Sequence, residues 1–415
     1  MKSLLSLLGV LVLTFDCIAG FGQKFDRALD NVSEELIFST EDGFAHLEIG
    51  MQGDVSFFYK DKGQMGWVFP RNDADRDLFS ARLTMTTDAF LGEWFYFFGK
   101  YRFDDGFHPG FRMKQQNKRT DVRTDELFAL VTPPEIPMTL KAGRFAPSFG
   151  NYFGRHDSWE SALITHPQPY NQLTSVLDGA VRPDAASFAS LRNVTDKATW
   201  VPVIWGPLYN QGVELAAFQG NWDASFTVMN SAVSSRPEEW NDDMSLPNYA
   251  TRITYAPSAK WNYGISASWG PYLRDQIKGL PAGKQVEDFK QFILGADLRY
   301  SYRDWEVFAE VYLNRFEVPN VNDDVDSLSY YIEPKYKINS RWFVAARWNQ
   351  QLYRKINVPG AGEQDYDNDI YRIDLGVGAK WTRHFISKLQ YSLQHQSASF
   401  QNGEHMLSMQ STFKF

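Results

Sequence analysis

The stretch Tyr371–Trp381, with the sequence YRIDLGVGAKW, decides the fold class. Its odd positions carry Tyr, Ile, Leu, Val, Ala and Trp, and its even positions carry Arg, Asp, Gly, Gly and Lys. Successive side chains of a β-strand point to opposite faces, so this period of two predicts a strand between an apolar and a polar environment. The same alternation occurs at 47–59, 95–104 and 261–270.

Working outward from this stretch, the alternation predicts sixteen strands, an even number, as bacterial single-chain barrels have. Their expected positions are 44–59, 78–91, 94–104, 123–132, 138–146, 209–219, 221–231, 248–257, 260–270, 289–302, 304–316, 327–337, 341–353, 369–382, 385–398 and 404–415. The links after even-numbered strands are very short, and those after odd-numbered strands are longer. Outer-membrane barrels separate periplasmic turns from external loops in this way.

Composition supports an all-β transmembrane antiparallel barrel and excludes other classes. The mean hydropathy is −0.40, and no run of eighteen apolar residues follows the N-terminus, which excludes a helical membrane protein. The net charge of −8 argues against nucleic-acid binding, because phosphates require a basic surface.

The N-terminus predicts export. Residues 1–22 have one Lys, an apolar core and small residues near Ala19 and Gly22, which is typical of a cleaved signal peptide. Cys17, the one cysteine, lies inside this segment, so the mature chain has no thiol. Residues 23–43 are expected to form a short periplasmic segment with helical spacing, and 44–415 the barrel. We therefore expect the protein in the bacterial outer membrane.

Two further features of the predicted strands indicate a membrane protein. Six tryptophans lie within a few residues of short turns, where the indole ring prefers the membrane–water boundary. They are Trp94, Trp222, Trp261, Trp305, Trp342 and Trp381. The last strand alternates up to Phe415, which resembles the C-terminal signature of barrel proteins that the assembly machinery recognises. Outer-membrane lipid and lipopolysaccharide are the expected surroundings.

The segment Leu140–Gly150, LKAGRFAPSFG, runs from a strand through Gly-Arg-Phe into a Pro and Phe-Gly turn. A weaker similarity occurs in Ser327–Trp348. On these two segments the chain resembles bacterial porins, and among them the phosphate-selective porin O/P family. The resemblance implies a homotrimer, a constricting third external loop and arginines lining the lumen. The ligand residues of that family are not matched one by one, so phosphate selectivity does not follow.

The link between strands 5 and 6 is the third external loop, and folded inward it would set the narrowest radius of a pore. Its charged candidates are Arg155, Asp157, Glu160, Arg182 and Arg192. The alternative is an external cap packed on neighbouring subunits.

Strand phase predicts which charges face the lumen. The basic candidates are Arg82, Lys100, Arg102, Arg252, Arg299, Arg347, Arg372 and Lys380. The acidic candidates are Asp297, Glu306, Glu310 and Glu333. One hypothesis is a basic wall on strands 13 to 16 and 1 to 3 that faces an acidic half and creates a transverse field. The alternative is solvated charges that pair locally, as any water-filled barrel needs.

These patterns favour a water-filled channel for passive diffusion of small polar solutes and ions, with anion preference as one variant. A channel specific for phosphate or oligosaccharide, and a barrel without a channel that acts as an enzyme or structural anchor, remain the alternatives. No residue pattern predicts a catalytic centre, a metal site or a cofactor.

Overall fold

The computed structural model describes residues 18–66, 68–69, 76–104, 121–194, 196–197, 200–236, 246–397 and 403–415. Sixteen antiparallel strands form a closed barrel, which confirms the predicted fold class. In chain order, β1 to β16 are Ala45–Lys60, Asp77–Leu91, Phe95–Asp104, Asp121–Val131, Met138–Phe145, Asn210–Gln219, Trp222–Met229, Asn248–Ser258, Trp261–Pro271, Lys290–Tyr302, Trp305–Phe316, Val325–Lys337, Trp342–Tyr353, Ile370–Lys380, Phe385–Gln396 and Glu404–Lys414. Each strand pairs with its neighbours in sequence, and β16 pairs with β1.

The seam between β1 and β16 is completed by the N-terminal segment. The Met51 amide donates to the Phe415 carbonyl at 2.8 Å, where the pairing with β16 ends. On the N-terminal side of Met51, a short strand Ile37–Ser39 pairs with the beginning of β1 and continues the barrel wall. This arrangement provides hydrogen-bond partners for the backbone groups of β1 that β16 does not reach.

A helix α1, Ile18–Glu35, precedes this short strand. It begins within the segment that the sequence assigns to the signal peptide, whose residues 1–17 lie outside the described ranges. The carboxylate of Asp30 contacts Arg383 and lies 2.9 Å from Nε2 of His384, in the turn between β14 and β15. No helix in the described part of the chain is long and apolar enough to span a bilayer.

The short turns lie at one end of the barrel. Gly220 and Arg303 adopt left-handed backbone angles, with φ of 61° and 55°, in the tight turns after β6 and β10. Aromatic pairs join adjacent strands next to these turns. The ring centroids are 4.4 Å apart for Trp222 and Tyr255, and 4.8 Å apart for Trp305 and Tyr336. This ring of aromatic pairs is the girdle expected at a membrane–water boundary.

Burial is inverted relative to a soluble protein. Phe79 and Ile265, on the outward phase, are each 60% exposed, whereas inward-facing Arg347 and Asp374 are 1% and 0% exposed. An apolar outer surface and a polar interior are the arrangement that a membrane-spanning barrel requires.

One irregularity changes the phase of a strand. In β4 the register shifts opposite Lys100 and Tyr101, so that Asp125 is an extra residue in the strand. A bulge of this kind shifts the inward phase from odd to even positions. Arg123 therefore faces the lumen on one side of the bulge, and Glu126 does so on the other.

Candidate functional site

The segment 146–209, hereafter loop L3, enters the barrel directly after β5. The Gly150 amide donates to Ser266 Oγ of β9 at 3.0 Å. The Asn151 and Tyr152 amides donate to Glu310 Oε1 of β11 at 2.5 and 3.0 Å. These contacts lie up to six strands from β5, so L3 crosses the barrel interior.

Arg155 fastens L3 to β11 and β12. Its Nη1 donates to Glu333 Oε1 at 2.6 Å, and its Nη2 donates to the Tyr331 hydroxyl at 2.9 Å. The guanidinium also lies 3.9 Å from the ring centroid of Phe308, within cation–π range. Because Arg155 is buried, this pairing is what makes its charge tolerable there.

A second anchor joins L3 to β13 and β14. Arg347 Nη2 donates to the Thr165 carbonyl at 2.7 Å, and Nη1 donates to Glu333 Oε2 at 3.0 Å. Asp374 lies between Arg347 and Arg372 and accepts from both guanidinium groups. Every charge in this buried network has an opposite partner, as burial requires. Because Arg347 and Arg372 reach L3 backbone carbonyls, the network fixes the loop in place.

The far side of L3 contacts β1, β3 and β15. The Lys100 ammonium lies 2.9 Å from the Asp157 carboxylate, and Ser158 bonds to the carboxylate of Asp54. Lys388 donates to backbone carbonyls of L3, including that of Ser161 at 2.8 Å. Desolvation raises the pKa of Asp157, but the charge and hydrogen bond of Lys100, together with the other positive groups nearby, outweigh it, so the pKa lies below its usual value.

A cavity of about 150 Å³ remains between L3 and the wall formed by β1 to β4. Its L3 side includes His156, Asp157 and Ser158. Five basic side chains and three acidic ones line it. The basic ones are Arg82, Lys100, Arg102, Arg123 and Arg236, and the acidic ones are Asp54, Asp125 and Asp157. The lining therefore has a formal excess of two positive charges, and Asp104 and Glu126, immediately outside it, pair with Arg102 and Lys100 at 3.0 and 4.0 Å.

Five of the eight predicted basic residues fall into two groups. Arg82, Lys100 and Arg102 line the cavity. Arg347 and Arg372 also face inward, but each is 1% exposed beneath L3 and neither lines open space. Their assignment as pore-lining is corrected, because strand phase identifies the face of a residue and not what covers it.

Two of the four predicted acidic residues need the same correction. Glu310 and Glu333 are buried beneath L3 and hold the loop through hydrogen bonds and ion pairs. Asp297 pairs with Arg252 at 2.7 Å. The remaining inward pairs lie outside the cavity lining. They are Arg299 with Glu306 at 3.8 Å and Lys335 with Glu306 at 2.8 Å. Lys380 is an exposed residue at the end of β14 that is next to the short turn.

Of the five predicted constriction residues, Asp157 alone lines the cavity. Arg155 is part of the anchor, and Glu160 lies at the loop surface, 3.9 Å from Lys414 Nζ. Arg182 and Arg192 belong to a different part of L3. The Arg182 carbonyl accepts from Asn320, and Arg192 pairs with Asp365 in external loops, so neither reaches the constriction.

Several site residues give no signal in the sequence. Arg123 and Asp125 line the cavity, but the bulge in β4 hides their phase. Tyr170 and Tyr331 bind the Glu310 carboxylate and the Arg155 guanidinium through their hydroxyls. Only the docked loop brings these partners together. Within the described ranges, no group of three or more His, Cys, Asp or Glu residues is placed to hold a metal ion.

The chain matches no protein-family model and no curated protein sequence. Its fold is similar to that of solved outer-membrane barrels. The Salmonella typhi OmpF complex with daunomycin has a TM-score of 0.57 and 11% identity over 91% of this chain and 100% of that one. The anion-selective porin from Comamonas acidovorans has 0.54 and 10% over 89% and 100%, and the outer membrane channel DcaP of Acinetobacter baumannii has 0.54 and 11% over 91% and 99%. At these identities the similarity establishes the porin-type barrel fold.

Proposed function

We propose that the protein is an outer-membrane channel for diffusion of small polar solutes and ions, with the cavity between L3 and β1 to β4 as its narrowest part. The observation that carries this proposal is that L3 is anchored inside the barrel on one side and leaves a charged, polar cavity on the other. Pore radius and lining charge together decide what passes such a constriction.

We further propose a moderate preference for anions. The charges beneath L3 compensate one another, so they contribute little net field to the cavity. The cavity lining keeps an excess of two positive charges, which raises the local anion concentration. The hypothesis of a transverse field across the whole lumen is therefore narrowed. In this proposal the field is confined to the cavity along β1 to β4.

The same proposal includes residence in the bacterial outer membrane, assembly through the C-terminal strand and a trimeric state. The apolar outer surface and the girdle support the first, and the family resemblance is the basis for the trimer. Phosphate selectivity remains a prediction of that resemblance, and we propose a general channel instead of an enzyme or anchor.

Reconstitution into planar bilayers tests the channel and its preference separately. We expect stepwise current, and a reversal potential in a KCl gradient that has the sign of chloride preference. The double variant Arg82→Met, Arg123→Met removes two cavity charges and should shift the reversal potential toward cations. The matched control is Arg299→Met, which removes an inward-facing charge outside the cavity. Folded protein without current refutes the channel, and current without chloride preference refutes only the anion claim.

A further inference from the structure

Two histidines of L3, His156 and His166, line the cavity between L3 and β1 to β4. Burial and nearby positive charges hold the pKa of His166 well below its usual value, so its ring stays neutral in the docked loop. His156 directly follows the Arg155 anchor and precedes Asp157, whose side chain is 42% exposed. His156 is therefore the histidine through which the cavity lining can gain charge.

The hydrogen bonds of the His156 ring determine where a proton can be added. Its Nδ1 lies 2.5 Å from the Phe153 carbonyl oxygen, which can only accept, so Nδ1 carries the proton of the neutral ring. Its Nε2 lies 2.8 Å from the Tyr209 hydroxyl and accepts from it. A second proton therefore adds at Nε2.

The same arrangement provides acceptors for the protonated ring. Asp157 Oδ1 lies 3.4 Å from Nε2, within the range of an ion pair. The Tyr209 oxygen, which donates to the neutral ring, accepts from the protonated one after its hydroxyl rotates. Because a cation in a confined site needs such partners, these two oxygens allow the ring to become charged without moving.

Asp157 is shared between this ring and a lysine of the barrel wall. The Lys100 ammonium lies 2.9 and 3.0 Å from the two carboxylate oxygens, and 3.5 Å from the Tyr209 hydroxyl. The pair of Lys100 and Asp157 is neutral, so a proton on His156 adds one positive charge to it. The titratable and charged groups around the ring, from β3, β4 and L3, are Lys100, Asp125, Glu126, Asp157, His166 and Tyr209.

We propose that His156 makes the anion preference of the constriction depend on pH, by adding a positive charge to the cavity lining when its Nε2 is protonated. This inference rests on the proposed channel function and names the residue that adjusts its ion preference. Imidazole is the side chain that changes its charge between pH 5 and 8. With His156 neutral the lining has a formal excess of two positive charges, and protonation raises it to three. The preference for anions therefore increases as the pH falls.

Low pH acts on L3 in two ways, and the two have opposite effects on ion preference. A charge on His156 increases the anion preference while L3 stays docked. Release of L3 widens the constriction and weakens any preference, because ions in a wider pore are better screened from the lining charge. The sign of the change with pH therefore reports which event occurs.

Reversal potentials of the full barrel in planar bilayers, in a KCl gradient at about pH 8 and about pH 5.5, test the inference. We expect the chloride-to-potassium permeability ratio to be roughly two- to fivefold higher at the lower pH, the effect of one unit charge about 8 Å from the ion path in water. His156→Gln removes the titrating group and should keep the ratio of pH 8 at both values. His156→Lys keeps a fixed positive charge and should give the higher ratio at both.

The matched control is His46→Gln. His46 shares the inward phase of Gln52 and Asp54 on β1 but does not line the cavity, and its Nδ1 lies 2.8 Å from Ser39 Oγ. The substitution removes a lumen histidine outside the constriction and should retain the wild-type response to pH.

The outcomes separate this inference from the channel proposal. A rise in chloride preference that His156→Gln abolishes and His46→Gln retains supports the inference. An unchanged ratio in the wild type, or a rise that persists in His156→Gln, overturns it and leaves the channel proposal intact. A fall in preference at the lower pH also overturns it, in favour of loop release. Folded protein without current at either pH refutes the channel, and this inference with it.

Discussion

Replacement of Arg347 by Met should release L3 from the wall of the barrel. Arg347 is 1% exposed and donates to Asp374, Glu333 and both the carbonyl and hydroxyl of Thr165. Met preserves much of the side-chain volume and removes every one of these bonds. The barrel strands do not depend on this residue for their backbone pairing, so the change acts on the loop.

The magnitude follows from the partners that remain. Removing one member of a buried ion pair costs about 3–5 kcal/mol, because the other charge is left without compensation. Here Arg155 still pairs with Glu333 and Arg372 with Asp374, so the lower end of that range applies. A cost of about 3 kcal/mol changes the ratio of docked to released loop roughly 150-fold.

Single-channel recording measures this change. We expect the Arg347→Met variant to show a higher conductance level, or frequent transitions to it. Arg252→Met is the matched control, because it breaks a lumen ion pair with Asp297 of β10, whereas Arg347 bonds to L3 itself. The triple variant with Glu333→Gln and Asp374→Asn removes the uncompensated acids and should recover part of the docking. Wild-type conductance in a folded Arg347→Met barrel, judged by its mobility before and after boiling, would refute the anchoring role.

Two further predictions concern the same loop, and a third concerns the helix α1. Burial and nearby positive charges lower the pKa of His166 well below its usual value, so the docked loop binds fewer protons than the released one. Docking should therefore weaken as the pH falls below about 6.5, with noisier current that His166→Gln abolishes. Gly150 has a φ of 61°, and a Cβ there would meet the hydroxyls of Tyr312 and Tyr170, so Gly150→Ala should raise conductance, while Gly154→Ala, with open space around it, should not. Finally, Asp30→Ala should make α1 more sensitive to protease, since it removes the contacts with Arg383 and His384.

The strand pattern could be predicted from the sequence because it follows from a local rule. Every residue of a barrel strand meets either lipid or lumen, so the period of two persists along stretches such as Tyr371–Trp381. The predicted strand bounds lie close to those of β1 to β16. The rule fails where its geometric premise fails, at the bulge in β4 that places Arg123 and Asp125 in the cavity lining.

The site was less predictable because its contacts join residues distant in sequence. The alternation predicts correctly that Arg347 and Glu333 face the lumen. It does not predict that L3 covers both residues, with Thr165 bonded to Arg347 and Arg155 bonded to Glu333. No local pattern reveals which wall a loop of this length will contact.

The division of charge inside the barrel follows from this docking. Buried charges must be compensated, so the side that L3 covers has to be close to neutral: Arg155, Arg347 and Arg372 stand there with Glu310, Glu333 and Asp374. The lumen of a water-filled barrel has no such requirement on its uncovered side, where solvent also stabilises charge. A net field can therefore persist between L3 and the wall of β1 to β4. On the proposed channel function, selectivity follows from the charges that L3 leaves uncovered, and the double variant Arg82→Met, Arg123→Met should change ion preference.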